Sequence, residues 1–263
     1  MEAAPHRGRE VRERLYRAAM GERFRSWMVS VKESDLWIGV DPESWRPAME
    51  EAARQALLEA RGQIEGYAGG SGQNASREAF LTSLTPLPLD PLAPQVVSAM
   101  LKAGIAAGTG PMAAVAGAVA EHVGRKLSNL FLCKEIIIEN GGDLWLSFVR
   151  PLDVAIYAGD SPLSSLLGVE LDPALSPCGL CTSSGTVGPS LSFGYADAAV
   201  ILCADAAVAD AWATAAGNMI QTAEDIGPAL SCLKNRSEVL GALLVAGDRM
   251  GLQGKLRLKP RPV

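Results

Sequence analysis

Asp210 and Thr214 stand four residues apart in an alanine-rich stretch running from Ala206 to Gly217. On a helix, that spacing sets a carboxylate and a hydroxyl on one face. Oxygens so placed can hold a hard cation such as Mg2+, which takes one or two carboxylates and completes its shell with water and substrate phosphate oxygens. The same pair also occurs as ordinary polarity on a helix surface, so spacing alone leaves both readings open. A second polar concentration, Thr182 through Ser190, is the densest run of Ser, Thr and Gly in the chain. Its hydroxyls and flexible amides suit a pyrophosphate or another anion, and they suit an exposed loop equally well.

Two other patterns are weaker. Gly108-Thr109-Gly110-Pro111-Met112-Ala113 satisfies the loose G-x-G-x-x-A spacing, but a helix rather than a strand is expected before it and Pro111 removes one amide donor. A tight helix-to-helix turn is the plainer reading, with anion contact at the following helix start as the alternative. Cys178-Gly179-Leu180-Cys181 is a lone C-x-x-C with no second pair at zinc-site spacing, so buried thiols are the default and redox or metal use the alternative. The chain has only two histidines, His6 and His122. Any mechanism built on a His dyad or a multi-His metal site is therefore excluded.

With 263 residues, of which 48% are hydrophobic, the chain can bury a substantial core. Its net charge of −5 argues against nucleic acid as a partner. The longest uncharged run, Ala103 to Ala120, is mostly Ala and Gly and contains Pro111, which predicts a buried helix and no membrane span. Five cysteines at uneven spacing, and no basic-then-apolar leader, predict a reducing, cytoplasmic setting.

These residues need elements to position them. The Arg-rich start, 1–26, reads as a solvated arm, and 27–263 as one domain. Alternation from Trp27 to Val40 predicts a β-hairpin, and helical spacing of apolar residues predicts a helix from Pro47 to Tyr67. A glycine-rich loop from Gly69 to Asn74 and a proline-rich connector from Thr85 to Pro91 follow. Helices are expected over Pro94 to Ala107 and Pro111 to Leu127, then strands over Glu135 to Ile138, Asp143 to Phe148 and Val154 to Tyr157. Asn140-Gly141-Gly142 between the first two strands has hairpin chemistry, because Asn and Gly accept positive φ. A strand over Ala198 to Cys203, a helix opened by Asp205 and running to about Gln221, and strands over Gly241 to Ala246 and Lys255 to Leu258 complete the pattern. Few strand pairs are joined by one crossover helix, so an α/β (α+β) fold with a mixed or antiparallel sheet packed by helices is predicted.

Seven blocks carry a family resemblance: Lys32 to Leu36, Gly110 to Glu121, Glu139-Asn140-Gly141-Gly142-Asp143, Ile156 to Gly159, Cys181 to Gly188, Ser190 to Gly194, and Ala209 to Asn218. In order and over nearly the whole chain they resemble the UPF0280 family, which is similar to the ApbE superfamily of FAD:protein FMN transferases. The resemblance implies an ApbE-like fold and a nucleotide-like small-molecule ligand, FAD or FMN, bound with Mg2+. By the same resemblance Asp210 and Thr214 match the metal-holding Asp and Thr, with a backbone carbonyl nearest Val115. Thr182, Ser183, Ser184 and Gly185 match the loop bordering the flavin, with Asn140, Gly141 and Gly142 as further cofactor-binding candidates. Two departures stand out: Ala116 replaces the transferases' Lys, and Pro189 stands where they place a His. The resemblance thus favours binding over FMN transfer. It also admits a part in homocysteine formation in anaerobes, with Cys178 and Cys181 as sulfur carriers. A third alternative is a non-catalytic subunit whose Ala/Gly-rich helix meets a protein partner or a second copy in a homodimer.

Overall fold

The three apolar isoleucines Ile136, Ile137 and Ile138 do not alternate with polar residues, because both faces of their strand are covered. In a computed structural model of the chain, which describes residues 23–69, 79–164, 166–185 and 193–260, Ile136 and Ile138 join a core under the helices. Ile137 joins a second core on the other face. The strand Ala198–Cys203 divides the same way, with Ala199, Ile201 and Cys203 on the helix side and Ala198, Val200 and Leu202 opposite.

The sheet between these cores has eight strands, each antiparallel to its neighbours. In spatial order they are β1 (Arg25–Val31), β2 (Ser34–Val40), β3 (Ile136–Asn140), β4 (Asp143–Ser147), β7 (Cys178–Ser183), β8 (Ala198–Cys203), β9 (Val239–Ala246) and β10 (Arg249–Gly254). One face carries helices α1 (Ala48–Gly69), α2 (Gln95–Ala107), α3 (Val115–Phe131), α4 (Ala206–Asn218) and α5 (Ile226–Lys234). The other carries a small sheet in the order β11 (Arg257–Leu258), β6 (Gly168–Leu171), β5 (Leu152–Ala155). The α/β (α+β) architecture with an antiparallel sheet under helices agrees with the sequence reading.

Several elements differ from that reading. Thr182 and Ser183, expected in a loop, are the last residues of β7. Strands β6, β7 and β10 and helix α5 were not anticipated: β6 has four residues, β7 runs into a Ser/Thr/Gly stretch, β10 is an edge strand with mostly exposed side chains, and Gly227 and Pro228 obscure α5. A capping box between Thr222 and Asp225 marks the turn leading into α5. The glycine loop before Asn74 lies almost wholly outside the described residues, as does most of the arm. Arg23 and Phe24 are described, and β1 opens at Arg25, ahead of the boundary at residue 27.

Gly108 caps α2 with φ +74°, and a Cβ on Gly110 would lie 1.7 Å from the Ser83 carbonyl oxygen. The loose G-x-G-x-x-A pattern is therefore a turn squeezed against a passing segment. No single helix among the described residues is long and apolar enough to cross a membrane; α2 with Pro111–Phe131 passes only as a pair bent by 105°.

Glu135 ties the first described residues to the sheet. Its side chain is 1% exposed and accepts from Arg23 at 2.5 and 3.0 Å, from Arg150 at 3.2 Å and from the Val149 N–H at 3.0 Å. Burial alone would raise this carboxyl, but the hydrogen bonds from Arg23, Val149 and Arg150 outweigh it and hold the pKa at about 2. A folded-state pKa below the usual 4.5 means stability present above that value and lost as pH falls toward 2. Glu135→Gln is expected to cost about 3 kcal/mol at pH 7. Urea unfolding of both proteins from pH 7 to pH 2.5 checks this, the gap narrowing below about pH 4.5.

Candidate functional site

Helices α3 and α4 begin without side-chain caps of their own: neither Ala114 nor Asp205 makes a capping hydrogen bond. A helix start exposes amide donors that need partners, more so when buried. Here each helix supplies the other. Asp210 Oδ2, in the second turn of α4, accepts from the Gly117 N–H at 2.9 Å, and the Ala116 N–H also donates to that carboxylate. In return Glu121 Oε2, on α3, accepts from the Ala206 N–H that opens α4 at 2.8 Å. Arg125 holds the other Glu121 oxygen at 2.7 Å.

Such an exchange demands close backbones. A Cβ on Gly117 would stand 2.3 Å from the Ala206 carbonyl oxygen and 2.9 Å from the Asp210 Cβ. On the sheet below, a Cβ on Gly179 would stand 2.3 Å from the Ala206 Cα. At Gly124 it would stand 2.1 Å from the Trp145 ring. The small residues of α3 and α4 are thus used for packing within the chain, which removes the basis for reading them as a dimer face.

The hairpin β3–β4 is fastened to the same place. Gly141 and Gly142 form its two-residue turn with φ of +67° and +105°, as the Asn-Gly-Gly sequence predicts. Asn140 Nδ2 donates to the Ala116 carbonyl at 3.1 Å, fixing the turn beside the start of α3. Glu139, on the opposite face of β3, accepts from the Gly142 N–H at 2.9 Å. A Cβ on Gly142 would lie 3.8 Å from the Thr182 carbonyl, so the turn also abuts the end of β7.

The structure therefore brings together Asp210, Asn140, Gly142, Thr182 and the first turn of α3. Thr214 lies one turn beyond Asp210 and Val115 heads α3, both half-buried. Ser183 lies against Gly217 at the far end of α4. Ser184 and Gly185 are pinned to Ala196 by a hydroxyl at 3.4 Å and an N–H at 2.9 Å. Thr186 through Ser190, including Pro189, lie outside the described residues.

Sequence reasoning missed one group in this cluster as a site residue. Asp143 opens β4, is 8% exposed, and sits electrostatically against Asp210. The Thr182 N–H helps to hold its charged form, while Oδ1 has no hydrogen-bond partner. Burial first, and then the Asp210 charge, push its carboxyl well up. Burial likewise raises Asp210, against the Gly117 and Ala116 amides, to about 7. A carboxylate beside a glycine turn and next to the apolar run Leu144-Trp145-Leu146 was the available signal.

The two cysteines of the C-x-x-C do not face each other. Three positions apart on β7, they point to opposite sides, Cys178 into the small-sheet core and Cys181 into the helix-side core. Burial raises Cys178 to about 12 and Cys181 far above its usual value, so both stay protonated thiols. Among the described residues no three His, Cys, Asp or Glu side chains gather as a metal cage. His122 packs toward Glu59 of α1 instead, 3.6 Å away.

An antiparallel sheet carrying crossed helices in this arrangement is the ApbE-like fold. The apo crystal structure of the flavinyl transferase ApbE from Pseudomonas stutzeri has a TM-score of 0.55 at 14% identity, covering 90% of this chain and 94% of that one. The ApbE protein of Thermotoga maritima has a TM-score of 0.54 at 12% identity, covering 87% and 96%. At these identities the likeness is one of fold. A UPF0280 protein of Methanococcus aeolicus is 38% identical over 232 residues, 87% of this chain and 89% of its own length. One from Methanocella arvoryzae is 40% identical over 200 residues, 76% and 78% of the two chains. A family model described as AbpE bacteria matches residues 17–255, and the chain belongs to this UPF0280, ApbE-like family.

Glycine substitutions test the helix crossing. Gly117→Ala gains about 1 kcal/mol of helix propensity but meets a backbone carbonyl that cannot swing aside, so a net loss of about 2 kcal/mol is expected. Gly62→Ala, on an exposed stretch of α1 where an added Cβ meets nothing within 4 Å, should instead gain about 0.5–1 kcal/mol. Chemical denaturation of both variants reads the contrast, and equal effects would speak against the crossing as described.

Proposed function

We propose that this chain binds a flavin nucleotide, or a ligand with a similar pyrophosphate, together with Mg2+ beside Asp210, and that it retains binding without FMN transfer. The carrying observation is Asp210 itself, a buried carboxylate at the start of α3 whose charge is felt by a second buried acid, Asp143. Two acids in one dry place can both ionise only beside a positive partner. The donors are hard oxygens: the Asp210 carboxylate, the Thr214 hydroxyl and a backbone carbonyl nearest Val115. Such a set suits Mg2+, which keeps waters and takes phosphate oxygens, better than a closed zinc cage. When bound, Mg2+ would neutralise phosphate charge.

This chain's own residues have simpler tasks. Asn140 holds the Gly141-Gly142 turn against α3, leaving a glycine surface that a ligand backbone can approach closely. At the open end of β7, Ser183 offers a hydroxyl on the helix-side face and Thr182 its backbone beside the Gly142 turn to border the ligand. FMN transfer is a different matter. Ala116 has no charge to offer a phosphate where the resembling transferases carry Lys, and Pro189 has no base where they carry His. The opposed, protonated Cys178 and Cys181 lend no support to a sulfur relay. Five free thiols fit a reducing, cytoplasmic setting.

Titrating the protein with FAD, with and without Mg2+, and following flavin fluorescence tests the reading. A saturable change is expected, at least roughly tenfold tighter with Mg2+, and Asp210→Asn should abolish that Mg2+ dependence. No fluorescence change up to high-micromolar FAD would refute binding, and production of FMN-labelled protein would refute the loss of transfer.

A further inference from the structure

We infer that Asp143 is a second carboxylate ligand of the divalent cation held beside Asp210, reaching it through Oδ1. The inference rests on the cation site proposed above. It begins with strand register: Asn140 pairs with Asp143 across the glycine turn, so both side chains lie on the helix-side face of the sheet. The β4–β7 register, Leu144 opposite Leu180, then sets Asp143 level with Cys181, under the first turns of α4.

There the residue is more than nine-tenths buried and its Oδ1 has no hydrogen-bond partner. A buried carboxylate oxygen without a donor is costly, and native structures satisfy nearly all such atoms. No donor reaches Oδ1: the Cys181 thiol lies 3.4 Å from the Ala206 carbonyl, the Gly117 N–H is on Asp210, and the Asn140 amide is on the Ala116 carbonyl. What faces Asp143 instead is another carboxylate, Asp210, with the Glu139 charge adding to the repulsion. A cation between the two aspartates satisfies the orphaned oxygen and cancels the repulsion together.

The chemistry of the cluster also selects the cation. The nearest sulfur, Cys181, is turned onto the Ala206 carbonyl, and the remaining donors are hard oxygens, which soft metals bind poorly. Two carboxylates, a hydroxyl and open positions for water or phosphate describe a Mg2+ or Mn2+ site.

Mn2+ serves as the probe. The metal-free full chain is titrated with Mn2+, with and without FAD, and free Mn2+ is counted by electron paramagnetic resonance. Wild type should bind one ion, Asp210→Asn should lose it, and Asp143→Asn should bind at least roughly tenfold more weakly. Wild type that takes up no Mn2+ under either condition would overturn the cation site as a whole. Wild-type binding matched by Asp143→Asn would overturn the role of Asp143 alone, leaving it a buried carboxylic acid.

Crystals of the wild-type chain grown with Mn2+ decide the matter even if Asp143→Asn fails to fold, and they separate a bonded ligand from a charge acting at a distance. An anomalous peak bonded to an Asp143 oxygen supports the inference. A peak at Asp210 with both Asp143 oxygens farther than about 2.6 Å overturns it.

Discussion

Two helix starts meet in this protein, and each is satisfied by an acid from the other helix: Asp210 of α4 on the amides of α3, and Glu121 of α3 on the first amide of α4. A carboxylate on a helix N-terminus interacts with both the unpaired amides and the helix dipole, worth about 1–2 kcal/mol per site in partly buried geometry. The larger consequence is positional. The exchange holds the backbones so near that only glycine fits at 117 and 179, and it dictates the alanine and glycine content of both helices. It also carries an acid into the interior and leaves it facing Asp143.

The site inherits its properties from that constraint. Asp210 is held by main-chain amides on an element fixed to the hairpin through Asn140, so its direction does not depend on a mobile side chain. Burial raises its proton affinity, and Asp143 responds in the same sense. Both shifts arise from charge left uncompensated in a dry place, and a cation that neutralises it must displace those protons. The helix crossing supplies the reason that Asp210 is there.

Much of this was legible in the chain. The alternation of Trp27 to Val40, the run Ala198 to Cys203 and the Asn-Gly-Gly turn each obey a local rule, and each element formed where expected. The i, i+4 pair Asp210 and Thr214 was also visible, because helical spacing is local. What stayed hidden depends on distant partners. Thr182 and Ser183 are polar enough to read as loop, yet neighbours β4 and β8 recruit their segment as a strand. The β10 edge is exposed and lacks a buried face, so its pattern is faint. The reciprocal caps join residues 93 and 85 positions apart, and no local window contains them. Asp143 looked like the far side of a turn, and only the packing of α4 over β7 made it a buried neighbour of Asp210.

The central claim is that the α3–α4 crossing holds a cation and a pyrophosphate ligand together. A crystal structure of the full chain grown with FAD and Mg2+ tests it most directly. The account predicts the FAD diphosphate between the Gly141-Gly142 turn and the start of α3, bridged by the ion to Asp210 and Thr214. FAD bound elsewhere on the protein, with Asp210 still on the Gly117 amide and no ion beside it, would contradict the account.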